Sequence, residues 1–212
     1  MHNVTRVEVY VLNRNNETQT LRNIVGLMDL GEGSRVFNQN VQGRVPGPND
    51  NAANSLYEDL RNVSDIRNIE SAADYLTNNF SMTKTKDFET ITASRKLDPR
   101  EYTWNKQLGY ISLLRRLQND EVLAVSYEYT YNGRRYQVGE LSEDYQGRQD
   151  DDLILLKLLR PTKIDTKIPT WDLMMKNVYY LNAYRLSEEG FTLRINYRDD
   201  LTNIDNPSLN EG

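Results

Sequence analysis

The most informative stretch of the sequence is residues 121–141, which read EVLAVSYEYTYNGRRYQVGEL. Asn132-Gly133 separates two runs in which apolar and polar residues alternate, and this dipeptide is the strongest short-range signal for a type I′ β-hairpin. The cross-strand pairs that such a turn predicts are Tyr131–Arg134, Tyr129–Tyr136 and Tyr127–Val138. One face of the hairpin then carries aromatic and branched pairs, which favours packing against the core or under another element.

Three further stretches have the patterns of strands. Residues 6–12 alternate, with their three valines on one side. Residues 88–97 also alternate, and Asp98-Pro99 ends the pattern because proline restricts the preceding residue and lacks an amide hydrogen. Residues 153–159, LILLKLL, form a nearly continuous apolar run whose length favours a central strand over a helix.

Two stretches leave strand and helix open. Residues 20–30 contain an apolar run that fits a buried strand or a short helix, and Gly26 within it weakens the helical interpretation. Residues 110–117 fit either structure as well. Between these stretches, residues 31–50 carry several glycines and prolines, and we expect a long exposed loop there.

Two helices are predicted after that loop. Asp50 can cap a helix over residues 51–62, and Ser64 can cap a second helix over residues 65–78, since short polar side chains accept hydrogen bonds from the first-turn amides. Each helix has a single apolar stripe. We therefore expect them to lie against a sheet or against each other.

The C-terminal part of the sequence predicts a short helix and a second hairpin. Thr170 can cap a helix over residues 171–180. The side chains that this helix would bury are Trp171, Met174, Met175 and Val178. Residues 182–186 and 191–197 have the pattern of hairpin arms, and residues 201–212 are a polar, flexible tail.

The fold class predicted from these elements is α+β, with a mainly antiparallel sheet in a sandwich-like arrangement and two to three short helices. The reason is that predicted strands outnumber helices and that short turns join most of the strands. We expect one β-rich domain over residues 1–200, with a helical insertion at about residues 50–79, followed by the tail at residues 201–212.

Composition excludes several classes of function. The 212 residues include 26 Lys or Arg and 31 Asp or Glu, a net charge of −5, so the chain lacks the basic excess typical of nucleic-acid binding. No apolar run reaches the roughly 18 residues of a membrane helix, and we expect a soluble segment that does not itself span the membrane. Cysteine is absent, which excludes disulfides and thiolate chemistry. The only histidine, His2, is terminal, which argues against a Ser-His-Asp triad.

Carboxylates offer the remaining catalytic or metal-binding groups. Glu140 and Asp172 could act as acid and base in a glycosidase, although solvated carboxylates are the commoner explanation. Asp150-Asp151-Asp152, with Glu143 and Asp144, lacks the ligand spacing of a calcium loop and is interpreted as a solvated acidic loop. No nucleotide fingerprint occurs, and no cofactor or metal is expected.

Aromatic residues are the last candidates for a site. The chain has 14 tyrosines, and Tyr127, Tyr129 and Tyr136 could form a platform for a sugar or a protein. A half-buried sheet face is the alternative for the same three residues. Trp104 and Trp171 are interpreted as core anchors.

Four stretches, in order along the chain, resemble one known family. They are RVEVYVLNRN with TLRNIVGLMDLGE (residues 6–15 and 20–32), KQLGYISLLRRLQNDEVLAVSYEYTYNGRRYQVGE (residues 106–140), LILLKLL (residues 153–159) and PTWDLMMKNVYYL (residues 169–181). Together they resemble the SprA/Sov family of Bacteroidetes, whose members are very large outer-membrane proteins of the type 9 secretion system, also tied to gliding motility. The resemblance spans residues 6–197.

This resemblance implies a part of a protein-conducting translocon in the outer membrane of the cell envelope. Its partners would be other type 9 secretion subunits and secreted cargo proteins, and no enzymatic activity is expected because the family supplies no catalytic motif. The chain lacks the signal peptide, the barrel strands and most of the length of a complete member, so we expect a soluble segment facing the cell surface or the periplasm. The alternative, from the residues alone, is a cell-surface carbohydrate-binding β-sandwich that uses Tyr127, Tyr129 and Tyr136.

Overall fold

A computed structural model describes residues 3–13, 21–43, 47–176, 185, 187, 189–192, 194, 196–198 and 201–206. The chain divides into two compact units, Met1–Met175 and Lys176–Gly212. The described strands of the first unit are β1 (Asn3–Leu12), β2 (Arg22–Leu27), β3 (Phe88–Lys96), β4 (Tyr102–Asn105), β5 (Tyr110–Leu113), β6 (Leu123–Tyr131), β7 (Arg134–Val138) and β8 (Ile154–Arg160). Its described helices are α1 (Leu56–Leu60), α2 (Ser64–Arg67), α3 (Ala72–Phe80) and a 3₁₀ turn at Pro169–Trp171.

In the second unit, β9 (Tyr197–Arg198) pairs antiparallel with β10 (Asp205–Asn206). The side chain of Arg198 bonds that of Asp205 across this pair, with 2.8 Å between Nε and Oδ1. Four of the five residues of the predicted arm 182–186 lie outside the described residues, so the predicted hairpin over residues 182–197 stays a prediction. The prediction of one domain over residues 1–200 and a tail after it stays a prediction.

Five strands of the first unit close into a barrel. Their order is β1-β3-β2-β8-β6, and β6 pairs back onto β1 from Asn3–Thr130 to Val11–Leu123. Every pairing is antiparallel except that of β2 with β8, which is parallel. The predicted excess of antiparallel strands is confirmed, whereas the sandwich arrangement is wrong, because the β1–β6 pairing joins what would otherwise be two free edges.

The hairpin predicted around Asn132-Gly133 is confirmed. β6 and β7 pair with Tyr131 opposite Arg134, in the register that the sequence predicted for all three pairs. Asn132 and Gly133 have φ values of 48° and 73°, as both central residues of a type I′ turn require. β1 pairs along the opposite edge of β6, and on the β7 side the N-terminal residues of β6 pair with β8, so this one strand joins the barrel to the hairpin.

The side chains of the barrel strands pack on both faces. Residues facing the interior form one cluster, which includes Tyr10, Ile24, Ile91, Ala124, Leu156 and Leu158. On the outside, the helical insertion covers Val25, Leu27 and Leu155. The β4–β5 hairpin covers Val9 and Val11, which alternate with the inward-facing Tyr10. Both faces of β1 are therefore buried, and apolar residues occur at successive positions along it.

The two predicted helices are shorter than expected. Residues 51–55 form turns instead, in which the Asp50 carboxylate accepts the amide of Ala52 at 3.0 Å, so α1 begins only at Leu56. The second predicted helix is broken, because Asn68 is extended and its side chain accepts the amide of Glu70 at 2.8 Å. Ser64 begins α2 but makes no capping bond there.

The other expectations have mixed outcomes. Residues 20–30 and 110–117 contain strands, β2 and β5, which settles both ambiguities. The described residues between 31 and 50 form no helix or strand, but the loop is not fully exposed, since Asn38 and Val41 are buried. The predicted helix over residues 171–180 is wrong over its described part, where a single 3₁₀ turn ends at Trp171 and Met175 is 64% exposed. Residues 177–180 lie outside the described residues.

Candidate functional site

The three tyrosines predicted as an interaction surface lie together on the β6–β7 hairpin. The rings of Tyr129 and Tyr136 stack with centroids 5.4 Å apart and planes 25° from parallel. Tyr127 lies next to Tyr129, with 6.1 Å between ring centroids. The period-2 spacing of strands and the hairpin register bring them together, as the sequence predicted.

Burial differs among these three tyrosines. Tyr129 is 5% exposed, and its hydroxyl donates to the backbone oxygen of Asn49 at 2.6 Å. Tyr127 and Tyr136 are half-buried. Burial raises the pKa of Tyr129 to about 12, with a smaller contribution from Asp50, and burial likewise raises the pKa of Tyr127. This face is therefore largely covered, and its role in interaction stays a prediction.

The two carboxylates considered for acid–base catalysis have unlike surroundings. Glu140 is 1% exposed and binds the guanidinium of Arg67 through two bonds of 2.7 Å. It also accepts the amide of Leu155 at 2.8 Å, so both of its oxygens are engaged. Asp172 is exposed and follows the 3₁₀ turn. The prediction that Glu140 is a solvated carboxylate is wrong, because it ties α2 to the segment between β7 and β8.

The acidic stretch between residues 143 and 152 consists mainly of turns. Asp144 accepts the backbone amide of Leu141 at 2.8 Å, and Asp150 pairs with Arg22 at 2.9 Å. Glu143 pairs with Arg6 at 2.5 Å. Among the described residues, no group of three or more candidate ligands could hold a metal ion. Glu143 and Asp150 thereby attach the turns to β1 and β2.

A buried polar cluster at one end of the barrel was missed by sequence reasoning. The carboxylate of Glu8, 5% exposed, accepts bonds from the Tyr10 hydroxyl at 3.0 Å and from both the amide and the hydroxyl of Ser142. Lys96 donates to the Ser142 hydroxyl at 2.8 Å. The Tyr145 hydroxyl lies 2.7 Å from that of Tyr10. Burial, followed by the nearby Glu8 carboxylate, raises the pKa of Tyr10.

This cluster contains the two residue types of a serine–lysine catalytic pair, Ser142 and Lys96. The Ser142 hydroxyl has a Lys96 donor and a carboxylate acceptor, and Lys96 also forms an ion pair with Glu8 at 3.7 Å. The Ser142 hydroxyl thus lies between Lys96 and the Glu8 carboxylate, and its bonds to both link three separate segments of the chain. The hydrogen bonds of this cluster therefore connect β1, β3 and the loop after β7. The only sign of this cluster in the sequence is that polar residues such as Glu8 alternate with the valines of residues 6–12.

Lys157 is a second buried charge that sequence reasoning did not single out. Its ammonium donates to the Glu32 carboxylate at 2.6 Å and to the backbone oxygen of Met28. Burial lowers the pKa of Lys157, and the Glu32 charge opposes that change. Burial also raises the pKa of Asp29 nearby, although amides of Phe37 and Asn38 donate to it and oppose the change.

A comparison with protein-family models finds no match to this chain, and a comparison with curated proteins finds none either. In the part of the chain that the structure describes, no helix has the length and apolar character needed to cross a membrane.

Proposed function

We propose that this chain is a non-catalytic domain of a very large outer-membrane translocon of the type 9 secretion system. It would act in protein secretion and gliding motility, in the cell envelope, with other secretion subunits and cargo proteins as partners. The four ordered stretches between residues 6 and 197 that resemble the SprA/Sov family support this proposal. The domain would contribute packing and interaction surface and would not turn over a substrate.

One structural observation supports a packing role in particular. Buried charged side chains are used to join separate elements: Glu140 joins α2 to the hairpin region, and Lys157 on β8 holds Glu32 after β2. Glu121, fully buried, binds the guanidinium of Arg115 through bonds of 3.0 and 2.8 Å. Charges committed in this way stabilise one arrangement of the elements, because breaking any pair leaves an uncompensated charge. Such rigidity suits a domain that must keep its shape within a larger assembly.

The alternative, a carbohydrate-binding sandwich, has less support. Its platform needs exposed rings, whereas Tyr129 lies under the chain at Asn49 and is hydrogen-bonded there. The strands also form a closed barrel instead of two open sheets. No observation on the described residues favours this alternative over the translocon proposal.

The proposal can be tested in the organism that carries the gene. Removing the segment that encodes this chain should stop delivery of type 9 cargo to the cell surface and stop gliding, and restoring it should recover both. An Asp172→Asn variant, changed at an exposed position, is the matched control and should restore secretion fully. Normal secretion in cells without the segment would contradict the proposal.

A second measurement tests the absence of catalysis. The purified protein should release no product from a panel of glycans and esters. Hydrolysis that disappears when Glu140 or Asp172 is neutralised would overturn the proposal, since it would place an acid–base pair in this domain. Glu140→Gln must be checked for folding, because the buried pair with Arg67 is lost in it.

A further inference from the structure

Positive charge is concentrated on one part of this acidic protein. Residues 95–116 contain six Lys or Arg and two Asp or Glu, a net charge of +4, whereas the rest of the chain, with 20 and 29, carries −9. The basic segment contains the whole β4–β5 hairpin, from Tyr102 to Leu113. A surface of this sign attracts partners of the opposite sign.

The cations of this segment fall into two groups. Arg95 and Arg115 are held in bidentate pairs with Glu101 and Glu121. Lys96 belongs with them, because it forms an ion pair with Glu8 at 3.7 Å. Three others, Arg100, Lys106 and Arg116, are exposed and make no ion pair with any carboxylate of the described residues. Lys106 lies over the ring of Trp104, with 5.3 Å from Nζ to the centroid. The second group is therefore available to an incoming anionic side chain.

Among the described strands, none pairs with the outer edge of β5 in this hairpin. The bond from the Leu114 amide to the Glu101 oxygen identifies the hydrogen-bonded pairs of this ladder, and such pairs alternate along an antiparallel hairpin. The backbone groups of Ile111 and Leu113 therefore point away from β4. Within the described residues, β5 pairs with no strand other than β4, so two N–H and two C=O groups face outward unpaired.

This edge lacks the usual protection against strand addition. Natural edges carry charged residues, prolines or bulges, or are covered by other chain segments. β7 shows such protection: Arg134 and Arg135 lie on it, and the amide of Asn51 donates to its Gln137 oxygen at 2.8 Å. β5 reads YISL, without charge or proline. Leucines that flank it are exposed, Leu108 by 75% and Leu114 by 70%.

We propose that the outer edge of β5 binds an extended acidic polypeptide segment, which adds to the β4–β5 sheet as a third strand. Backbone bonds to Ile111 and Leu113 would supply affinity, and Asp or Glu side chains would reach Lys106 and Arg116. This deepens the proposed function, on which it rests, by naming the chemistry of one partner.

Other occupants fit these observations less well. A lipid bilayer offers no groups that could pair with the backbone of Ile111 and Leu113, which would stay unsatisfied in hydrocarbon. A second copy that paired through its own β5 would bring two segments of net charge +4 together, and like charges across a ladder are destabilising. An acidic strand would supply hydrogen-bond partners for the backbone of β5 and opposite charges for its basic neighbours.

The test uses the purified chain and a peptide of roughly eight residues, the length of an ordinary strand, in which Val and Glu alternate. We expect saturable binding that weakens with added salt, together with protection of the Ile111 and Leu113 amides from hydrogen exchange. The same peptide with Lys in place of Glu should not bind. An acidic peptide with proline at alternate positions should not protect either amide, because it cannot complete the ladder.

Variants of the protein test how much the basic side chains contribute to peptide affinity. The double change Lys106→Glu and Arg116→Glu should weaken binding of the Val-Glu peptide by roughly tenfold, since exposed charge contacts contribute up to about 1 kcal/mol each. Arg134→Glu, a single charge reversal at an exposed position of β7, is the control for each of the two changes made singly, and it should change the affinity less than about twofold.

Several results would overturn the inference. With peptides, these results are the absence of binding, equal binding of the Lys peptide, and binding without protection of either amide. Binding to vesicles of anionic lipid in place of the peptide would also overturn it, and so would dimerisation through the hairpin. Any of these results would contradict strand addition at the outer edge of β5. None of them bears on the secretion phenotype expected when the segment is removed. Conversely, normal secretion without the segment, alongside confirmed peptide binding, would remove only the proposed function.

Discussion

At the scale of single residues, the buried ion pair between Arg67 and Glu140 has the largest expected effect on stability. The exposed fraction of the side chain is 9% for Arg67 and 1% for Glu140. Arg67 also donates to the backbone oxygens of Leu153 and Arg61, at 3.0 and 2.7 Å, so its guanidinium bonds three separate parts of the chain. The Nε of Arg67 has no hydrogen-bond partner among the described residues. The other bonds of the guanidinium must therefore offset the cost of burying its charge.

Replacing Glu140 with Gln should lower the free energy of unfolding by about 3–5 kcal/mol, because the Arg67 charge stays buried without its partner. Urea denaturation of the purified chain measures this change. The matched control is Glu58→Gln, which removes an exposed ion pair of 3.2 Å with Arg61 at the C-terminal end of α1 and should change stability by less than about 1 kcal/mol. Equal losses in the two variants would contradict the assignment of a buried structural pair.

At the scale of elements, the turns depend on backbone conformation that glycine adopts readily. Gly133 ends the turn of the β6–β7 hairpin at φ 73°, and a Cβ there would meet nothing within 4 Å. Gly31, at φ 79° after β2, faces the hairpin directly: a Cβ would lie 2.6 Å from Cγ1 of Val138. The first position requires only a left-handed backbone, whereas the second also requires space.

These two glycines provide a matched comparison. Gly133→Ala should cost about 1–2 kcal/mol, the strain of a left-handed backbone for a residue with Cβ. Gly31→Ala should cost about 1–3 kcal/mol more, because Val138 must also move. Urea midpoints of both variants test the difference, and a Gly31→Ala protein as stable as Gly133→Ala would show that the contact with Val138 is not close in solution.

At the scale of the whole molecule, the core contains several tyrosine hydroxyls. Burial is the main cause that raises the pKa of five tyrosines, namely Tyr10, Tyr57, Tyr102, Tyr127 and Tyr129. Tyr10 belongs to the interior cluster of the barrel, Tyr57 and Tyr127 pack in the cluster that includes the helical insertion, and Tyr102 packs in the cluster beneath the β4–β5 hairpin. Their effect on stability is therefore a property of the packed molecule as a whole.

Alkaline pH should unfold this protein. Unfolded tyrosines ionise near pH 10, whereas the pKa is raised to about 12 for Tyr57 and Tyr129 in the folded chain. Above pH 10 the folded state binds more protons than the unfolded state, so stability is complete below that pH and falls as pH rises towards 12.

The measurement is the urea midpoint as a function of pH, with tyrosinate absorbance followed in parallel. The native protein should ionise fewer tyrosines near pH 10 than the chain in urea, which exposes all 14. Tyr10→Phe removes one buried hydroxyl and should make the loss of stability with pH less steep. A midpoint independent of pH, or a native titration identical to that in urea, would refute the effect.

The sequence predicted local structure well where the controlling interactions are local. The Asn132-Gly133 turn defined the register of its hairpin, because both residues tolerate positive φ and the alternation assigns each side chain to a face. Sequence patterns failed for the helices, because the Asn68 side chain accepts the backbone amide of Glu70 and interrupts an apolar stripe that continues on both sides. They also failed for Glu140, because a carboxylate in a sequence carries no sign of the guanidinium that will meet it 73 residues away.

The identities of β1, β3, β6, β7 and β8, the hairpin register and the charge balance were thus determined by the sequence alone, since they depend on neighbours along the chain. Closure of β6 onto β1, burial of Glu8 and Lys157, and the unpaired edge of β5 were decided only by the tertiary structure. The physical reason is that these features depend on pairings between distant segments, whose geometry follows from the packing of all of them at once.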